Sequence, residues 1–318
     1  VDVGESNWDA VDGALTVGAY VQDVLGCKQI DYVLITHFHL DHAGLPGHGG
    51  LWHLTQVQGF RVGKLVHRDF NEFQGNSGGG ILAWQSFLKS PAGQGLHPES
   101  THLGQPTFEL GGGVDVRVVA ANGDLNLQDE HHFKSSVPPD ENDASIALLL
   151  RFGLLDYLTA GDLSGEDYEG QGYRYNDLET NLALKVGDVD VYRVSHHGSR
   201  HSSNETLLEQ MQPRVSILQV GNDNANGHPH QTVIDRLLAL SRLYLTQHGD
   251  PSVNLGAARV MGGIVLRSRN GRDYTVGGDV YIATDPPRVD SDGDGYFSEA
   301  DPDDGDAMII PARNVSAL

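Results

Sequence analysis

Short apolar runs that stop at polar, glycine-bearing turns recur along this chain, and their spacing predicts strands interleaved with helices. Tyr32-Val33-Leu34-Ile35 reads as a buried strand, as do residues 64–67, 154–159, 189–194 and 214–220. Residues 108–119 predict a hairpin, and the run from 142 to 152 a further strand. Val17, Tyr20, Val21, Val24 and Leu25 recur at helical spacing, so residues 16–25 predict an amphipathic helix ended by Gly26. Residues 81–88 and 232–240 predict two more helices, the second with Pro229 near its start, where a missing N–H is tolerated. The glycine-rich stretch 71–80 predicts a mobile wall and lacks the residue order of a phosphate-cradling loop.

The strands end in metal-binding side chains. After Ile35 come His37, His39, Asp41 and His42, three imidazoles and a carboxylate within six residues. A single histidine is usually structural. Nitrogen and oxygen donors concentrated at spacings of two and one instead suit a tight metal-binding loop, because a helix aligns only donors four apart. The strand at 154–159 runs into Gly161-Asp162, and the strand at 189–194 into His196-His197-Gly198-Ser199. The strand at 214–220 leads to Gly227-His228-Pro229-His230. Strand ends that repeatedly carry His or Asp assemble a site along one edge of a sheet sandwich. Adjacent side chains leaving a strand diverge, so one of His196 and His197 is expected to reach a metal and the other to serve in proton transfer or support a ligand.

Composition narrows the partners. The 318 residues suffice for a large α/β domain, and no apolar run approaches the ~20 residues of a membrane helix, so no membrane-spanning part is expected. The formal net charge is −22, and nine acidic against two basic side chains fall in 285–318, which leaves the remainder acidic as well. Such a chain is a poor sequence-independent binder of long nucleic acid, which needs a basic face. A locally cationic site built on metal ions is still compatible with it. Cys27 is the sole cysteine, so neither an intrachain disulfide nor a thiolate cage forms. The chain starts at Val1 rather than methionine, as expected after removal of a leader or truncation.

The motif His37-x-His39-x-Asp41-His42 resembles the signature of the metallo-β-lactamase superfamily. Asn142-x-x-Ser145, Gly161-Asp162, His196-His197-Gly198-Ser199 and Gly227-His228-Pro229-His230 follow in an order similar to that of the metallo-β-lactamase-like domain of ComEC-type DNA-uptake proteins. The likeness spans roughly residues 1–283. It implies an αββα sandwich over residues 1–285 with a one- or two-metal site at one edge. By that resemblance His37, His39 and a third histidine hold one metal, Asp41, His42 and His228 the other, and Asp162 bridges them. Many members carry a further histidine ahead of the strand that begins near Ser145, where this chain has Glu141-Asn142-Asp143. His131 or His132, or one of His196 and His197, is the expected replacement. The metals implied are two divalent transition ions, zinc first, with manganese or iron as alternatives.

The implied activity is a metal-dependent phosphodiesterase or nuclease, acting on a phosphodiester or on single-stranded nucleic acid through water activated at the metals. Asp41, His196 and His197 are the expected catalytic groups, with the free member of the histidine pair protonating the leaving oxygen. Ser199 and Arg200 are expected to bind a phosphate oxygen. Two alternatives stay open. The same site suits a carbonyl substrate such as a lactone, a β-lactam or another ester or amide, or the chain is a non-catalytic extracellular binding module.

A separate motif closes the chain. Asp290, Asp292 and Asp294 at loop positions 1, 3 and 5, Gly295 at 6, the Tyr296 carbonyl at 7 and Asp301 at 12 match a calcium loop. Residues 286–318 are therefore expected to form an acidic calcium-binding tail. Because calcium is abundant outside cells, a secreted, extracellular or periplasmic location is expected.

Overall fold

The computed structural model describes residues 1–70, 79–103, 108–125, 139–165, 176–222, 224 and 226–283. His131 and His132, the segment 286–318 with Asp290, Asp292, Asp294, Tyr296 and Asp301, and residues 71–78 lie outside the described residues.

Helix α1 (Asp12–Leu25) leads to strand β1 (Gln29–Ile35), the single turns α2 (Leu40–Ala43) and α3 (Gly50–Trp52), a π-helical turn (His53–Val57) and β2 (Arg61–Arg68). Then follow α4 (Gly79–Lys89), α5 (Pro91–Gln94), β3 (Pro98–Thr101) and β4 (Val114–Ala120). A 3₁₀ turn (Asn142–Ala144) precedes β5 (Ala147–Phe152), β6 (Leu155–Thr159), α6 (Glu179–Val186) and β7 (Val191–Arg193). A second 3₁₀ turn (Ser195–Gly198) precedes α7 (Glu205–Met211), β8 (Val215–Leu218), α8 (Gln231–Leu240), β9 (Arg242–Leu245) and β10 (Arg259–Val260). Strands β11 (Leu266–Ser268), β12 (Asp273–Val276) and β13 (Asp279–Ile282) end the described chain.

These strands make two facing sheets and a small third one. The first has the order β1-β2-β3, all parallel. The second has the order β10-β9-β8-β7-β6-β5-β4, parallel from β10 to β6 and antiparallel across β6-β5-β4. Leu34 and Val66 of the first sheet share an apolar cluster with Val116, Val118, Ile146 and Leu148 of the second, which is the interior of the sandwich. The opposite face of the first sheet, through Val33, Ile35 and Leu65, buries Leu51, Leu54 and Trp84. The opposite face of the second, through Leu158, Tyr192 and Leu218, packs on Leu182, Leu207 and Ile234 of α6, α7 and α8. Each of these side chains, at ~1.5–3 kcal/mol for full burial, favours the layered arrangement over separate sheets. The architecture is the expected αββα sandwich. The antiparallel meander β11-β12-β13 covers the rest of the inner face, Tyr274 and Val276 meeting Val191, Val215 and Ile217.

Two details depart from the sequence reading. Residues 108–119 do not form a hairpin: Gly111, Gly112 and Gly113 all take positive φ, and the strand that follows pairs with β5 instead. Alternation shows that a strand exists, but not whether its partner is near or distant in sequence. In α1 the buried positions are Ala14 and Gly18, whereas Tyr20, Val24 and Leu25 are exposed. The helix lies close to its neighbour, and a Cβ at Gly18 would stand 2.3 Å from the Gln58 side chain.

The parallel strands β1, β6, β7, β8 and β9 all deliver their carboxyl ends to one edge, and in open α/β sheets that edge is where ligands bind.

Candidate metal centre

The ligand loop begins two residues past β1. His39, in extended backbone, precedes α2, so Asp41 and His42 ride on a single helical turn rather than an irregular loop. The chain's first residues brace it. Val3 N–H donates to His42 O at 2.7 Å, and a Cβ on Gly4 would lie 1.6 Å from Asp41 O, so only glycine permits this approach. Phe38 N–H donates to Glu141 Oε1 at 2.8 Å, and Glu141 in turn accepts from Arg68 Nε and Nη2 at 2.7 and 2.6 Å. Both members of that ion pair are about 1% exposed, so it ties β2 and the 139–145 segment to the backbone between His37 and His39.

The second sheet supplies the rest. Asp162 follows β6, its N–H donating to Ser145 Oγ at 3.1 Å. His196 and His197 sit in the 3₁₀ turn after β7 with φ of 50° and 51° and are followed by Gly198 at 76°. Two consecutive non-glycine residues in the left-handed region are strained. The conformation folds both imidazoles back: His196 Nε2 is 3.8 Å and His197 Nε2 3.7 Å from Asp162 Oδ2. The divergence expected of an extended backbone is therefore not what the turn produces.

Four residues converge most tightly. One ligand atom from each of Asp41, His42, Asp162 and His197 lies within 4.8 Å of the others. His42 Nε2 is 3.1 Å from His197 Nε2, 3.2 Å from Asp162 Oδ1 and 3.8 Å from Asp41 Oδ2. His37 Nε2 and His39 Nδ1 form a second pair of donors 3.0 Å apart, and His37 Nε2 is 4.0 Å from Asp162 Oδ2. Asp162 thus stands between the two groups. The His228 ring is 6.5 Å from that of His197 and 5.5 Å from that of His196, on the wall of a cleft of about 840 Å³ that also includes Ser199, Arg200, Asn142 and Gln231. Arg200 Nε donates to His201 Nε2 at 3.1 Å.

The tautomers test whether a cation fits. His42 Nδ1 is 3.0 Å from Asp2 Oδ2 and His197 Nδ1 is 2.9 Å from the Gln219 carbonyl. A carboxylate and a carbonyl only accept, so both Nδ1 atoms donate, and in the neutral rings the two facing Nε2 atoms present lone pairs that a proton or a cation must fill. Thr36 Oγ1 donates to Asp2, so it accepts from His37 Nδ1 at 3.1 Å, which leaves His37 Nε2 a lone pair as well. Facing lone pairs beside two carboxylates require positive charge between them. Burial lowers the pKa of His42, but Asp162 and Asp2 outweigh it and the net shift is well upward. Burial likewise opposes ionisation of Asp162, yet His42, His197 and His196 hold its pKa well below the usual carboxylate range. His228 is lowered to about 4 by burial and then by His196 and His197, so it offers a neutral ring. An all nitrogen-and-oxygen donor set of this kind fits a divalent transition metal.

Asp2 supports the donors from outside the ligand motifs. It holds His42 directly and His37 through Thr36, and its backbone N–H donates to Leu34 O at 2.8 Å. The signal was Asp2-Val3-Gly4 itself, an acid two residues before a glycine. Glu141, in the place of the third histidine, faces Arg68 and Phe38 rather than the donors, while His196 Nε2 lies 3.8 Å from the Asp162 Oδ2 atom that is 4.0 Å from His37 Nε2.

Comparison with known families matches residues 19–221 to the model of the metallo-beta-lactamase superfamily. The chain belongs to this superfamily. ComE operon protein 3 of Bacillus subtilis (strain 168) is 27% identical over 216 residues, 67% of this chain and 23% of that protein. Recombination protein 2 of Haemophilus influenzae (strain ATCC 51907 / DSM 11121 / KW20 / Rd) is 33% identical over 97 residues, 30% of this chain and 11% of that protein. The chain therefore spans less than a quarter of the length of either relative. Among solved structures, Zn(2+)-bound PqqB from Methylobacterium extorquens aligns over 59% of this chain and 61% of its own at 15% identity, with a TM-score of 0.33. No helix among the described residues is long and apolar enough to cross a membrane.

Proposed function

We propose that this metallo-beta-lactamase-superfamily chain is a metal-dependent phosphodiesterase acting on nucleotides or short single-stranded nucleic acid. The observation that carries the proposal is the convergence of Asp41, His42, Asp162 and His197 within 4.8 Å beside the His37–His39 pair, at the mouth of a polar cleft. The name of one relative, Recombination protein 2, favours a nucleic-acid substrate over a carbonyl compound. The net charge of −22 favours short substrates over long duplexes.

In this reading His37, His39 and Asp162 hold one cation, and Asp41, His42, His197 and Asp162 the other. When bound, the cations supply an activated water and stabilise the charge that develops on phosphorus. Asp2, Thr36 and the Gln219 carbonyl fix the ring orientations by taking the Nδ1 protons. Among the described residues His196 Nδ1 is buried without a hydrogen-bond partner, and the ring lines the cleft; in this reading it protonates the leaving oxygen. Ser199 and Arg200 in the same cleft give donors to a phosphate oxygen, and His228 lines it as well. Calcium binding at 290–301 and export of the protein belong to the same proposal.

The test is hydrolysis of bis-p-nitrophenyl phosphate, single-stranded DNA, a lactone and nitrocefin, each with zinc and with manganese. Chelator-sensitive cleavage of the first two, lost in Asp162→Asn, is expected. Turnover of the lactone or nitrocefin alone would overturn the reading.

A further inference from the structure

A second pocket, of about 330 Å³, adjoins the ligand loop. His39 lines both. The two differ in chemistry. The large cleft is walled by Asn142, Arg200, Gln231 and other polar groups, whereas the smaller pocket is walled by Trp8, Phe38, Leu40, Leu45 and Ile81, with Asp140 among its lining residues. Leu45 and Ile81 are less than a tenth exposed and Phe38 is stacked on Phe70 at 4.5 Å, so the floor is set by the fold. Trp8 is different: it is 55% exposed, a large indole left in contact with water beside a metal centre. An exposed aromatic next to a reacting centre, with nothing in the core to explain it, is the form that base-stacking platforms take. Gly79 and Gly80 complete the wall without side chains, and a Cβ at Gly80 would still be 3.9 Å from its nearest neighbour, so a planar ring has space to enter.

We propose that this pocket binds the nucleobase on one side of the scissile phosphodiester, stacked on Trp8, while the rest of the substrate lies in the polar cleft. The inference rests on the phosphodiesterase reading and deepens it. A site flanked by two clefts that meet at His39 suits a diester, whose phosphorus carries two substituents, better than a monoester. The Asp140 carboxylate is an acceptor for an exocyclic amino group, so adenine, cytosine and guanine fit better than thymine.

The experiment uses the full chain loaded with manganese or zinc, and the dinucleotide d(ApA) beside two analogues in which one or the other base is replaced by an abasic sugar. Trp8→Ala is expected to raise KM for d(ApA) about tenfold relative to its effect on the analogue lacking the stacked base. Trp8→Phe, which keeps a ring, is expected to restore most of the loss. Independently of turnover, deoxyadenosine monophosphate added in the presence of chelator is expected to quench tryptophan fluorescence in the native chain and not in Trp8→Phe. Equal effects of Trp8→Ala on base-bearing and abasic substrates, or no quench while d(ApA) is still cleaved, would overturn the base pocket alone. Failure to cleave any phosphodiester, with Trp8-dependent hydrolysis of a long-chain lactone, would instead overturn the phosphodiesterase reading and make the pocket an acyl site.

Discussion

Asp2 Oδ2 and His42 Nδ1 lie 3.0 Å apart in a pair whose side chains are 7% and 1% exposed, and the same carboxylate holds Thr36, which holds His37. One acid near the start of the chain therefore sets the tautomer of a ring in each half of the donor set. Replacing a partner that orients a metal-bound histidine typically lowers metal affinity 10–100-fold. Asp2→Ala is expected to weaken metal binding by about that factor, read by competition with a chromogenic chelator. Asp2→Asn, which keeps one acceptor, is expected to lose less.

The histidine pair divides by contact. His197 Nε2 faces His42 Nε2 at 3.1 Å, and its Nδ1 is held by Gln219, whereas His196 Nδ1 has no hydrogen-bond partner among the described residues. His197→Ala is expected to lose about one metal equivalent by elemental analysis. His196→Ala is expected to keep its metal and lose turnover, by about 10²–10⁴-fold if the ring is the general acid. Equal metal loss in both variants would contradict the division.

The buried Arg68–Glu141 pair predicts a stability effect coupled to the site. Removing one partner strands the other charge, typically at a cost of ~3–5 kcal/mol, whereas replacing both with apolar groups is milder. Arg68→Met is expected to lower the melting temperature more than the double variant Arg68→Met/Glu141→Leu. Glu141→Leu also frees the Phe38 N–H, so reduced metal occupancy is expected wherever Glu141 is lost.

Asp143 predicts a pH dependence outside the donor set. Burial, then the neighbouring Asp140, raise its pKa to about 7 from the ordinary 3.8. The folded state thus binds the proton more tightly than the unfolded one. The resulting stabilisation is fully present below about pH 3.8 and is lost as pH rises through 7. Asp143→Asn is expected to melt ~2–5 °C higher than the parent at pH 8, with the difference shrinking toward pH 5, in thermal scans of the metal-free chain.

The sequence by itself determined the layers and most of the donors. Period-two and continuous apolar runs such as 32–35 and 215–218 admit little besides buried strands, and His37, His39, Asp41 and His42 are adjacent, so local spacing suffices to read them. That Asp162 and His197, more than a hundred residues away, reach the same point follows from the family resemblance and not from spacing, because it depends on β6 and β7 ending at the edge where β1 ends. Spacing could not decide which way His196 and His197 face: a left-handed turn at two non-glycine residues is imposed by packing, and propensity alone argues against it. The roles of Asp2 and Glu141 were equally hidden. Each bonds to residues 34 to 103 positions away in the chain, and only the closed sandwich brings those partners within 3 Å. The strands after residue 240 are not legible in the sequence, being two to four residues long with little periodicity, and their burial comes from the sheet they cover.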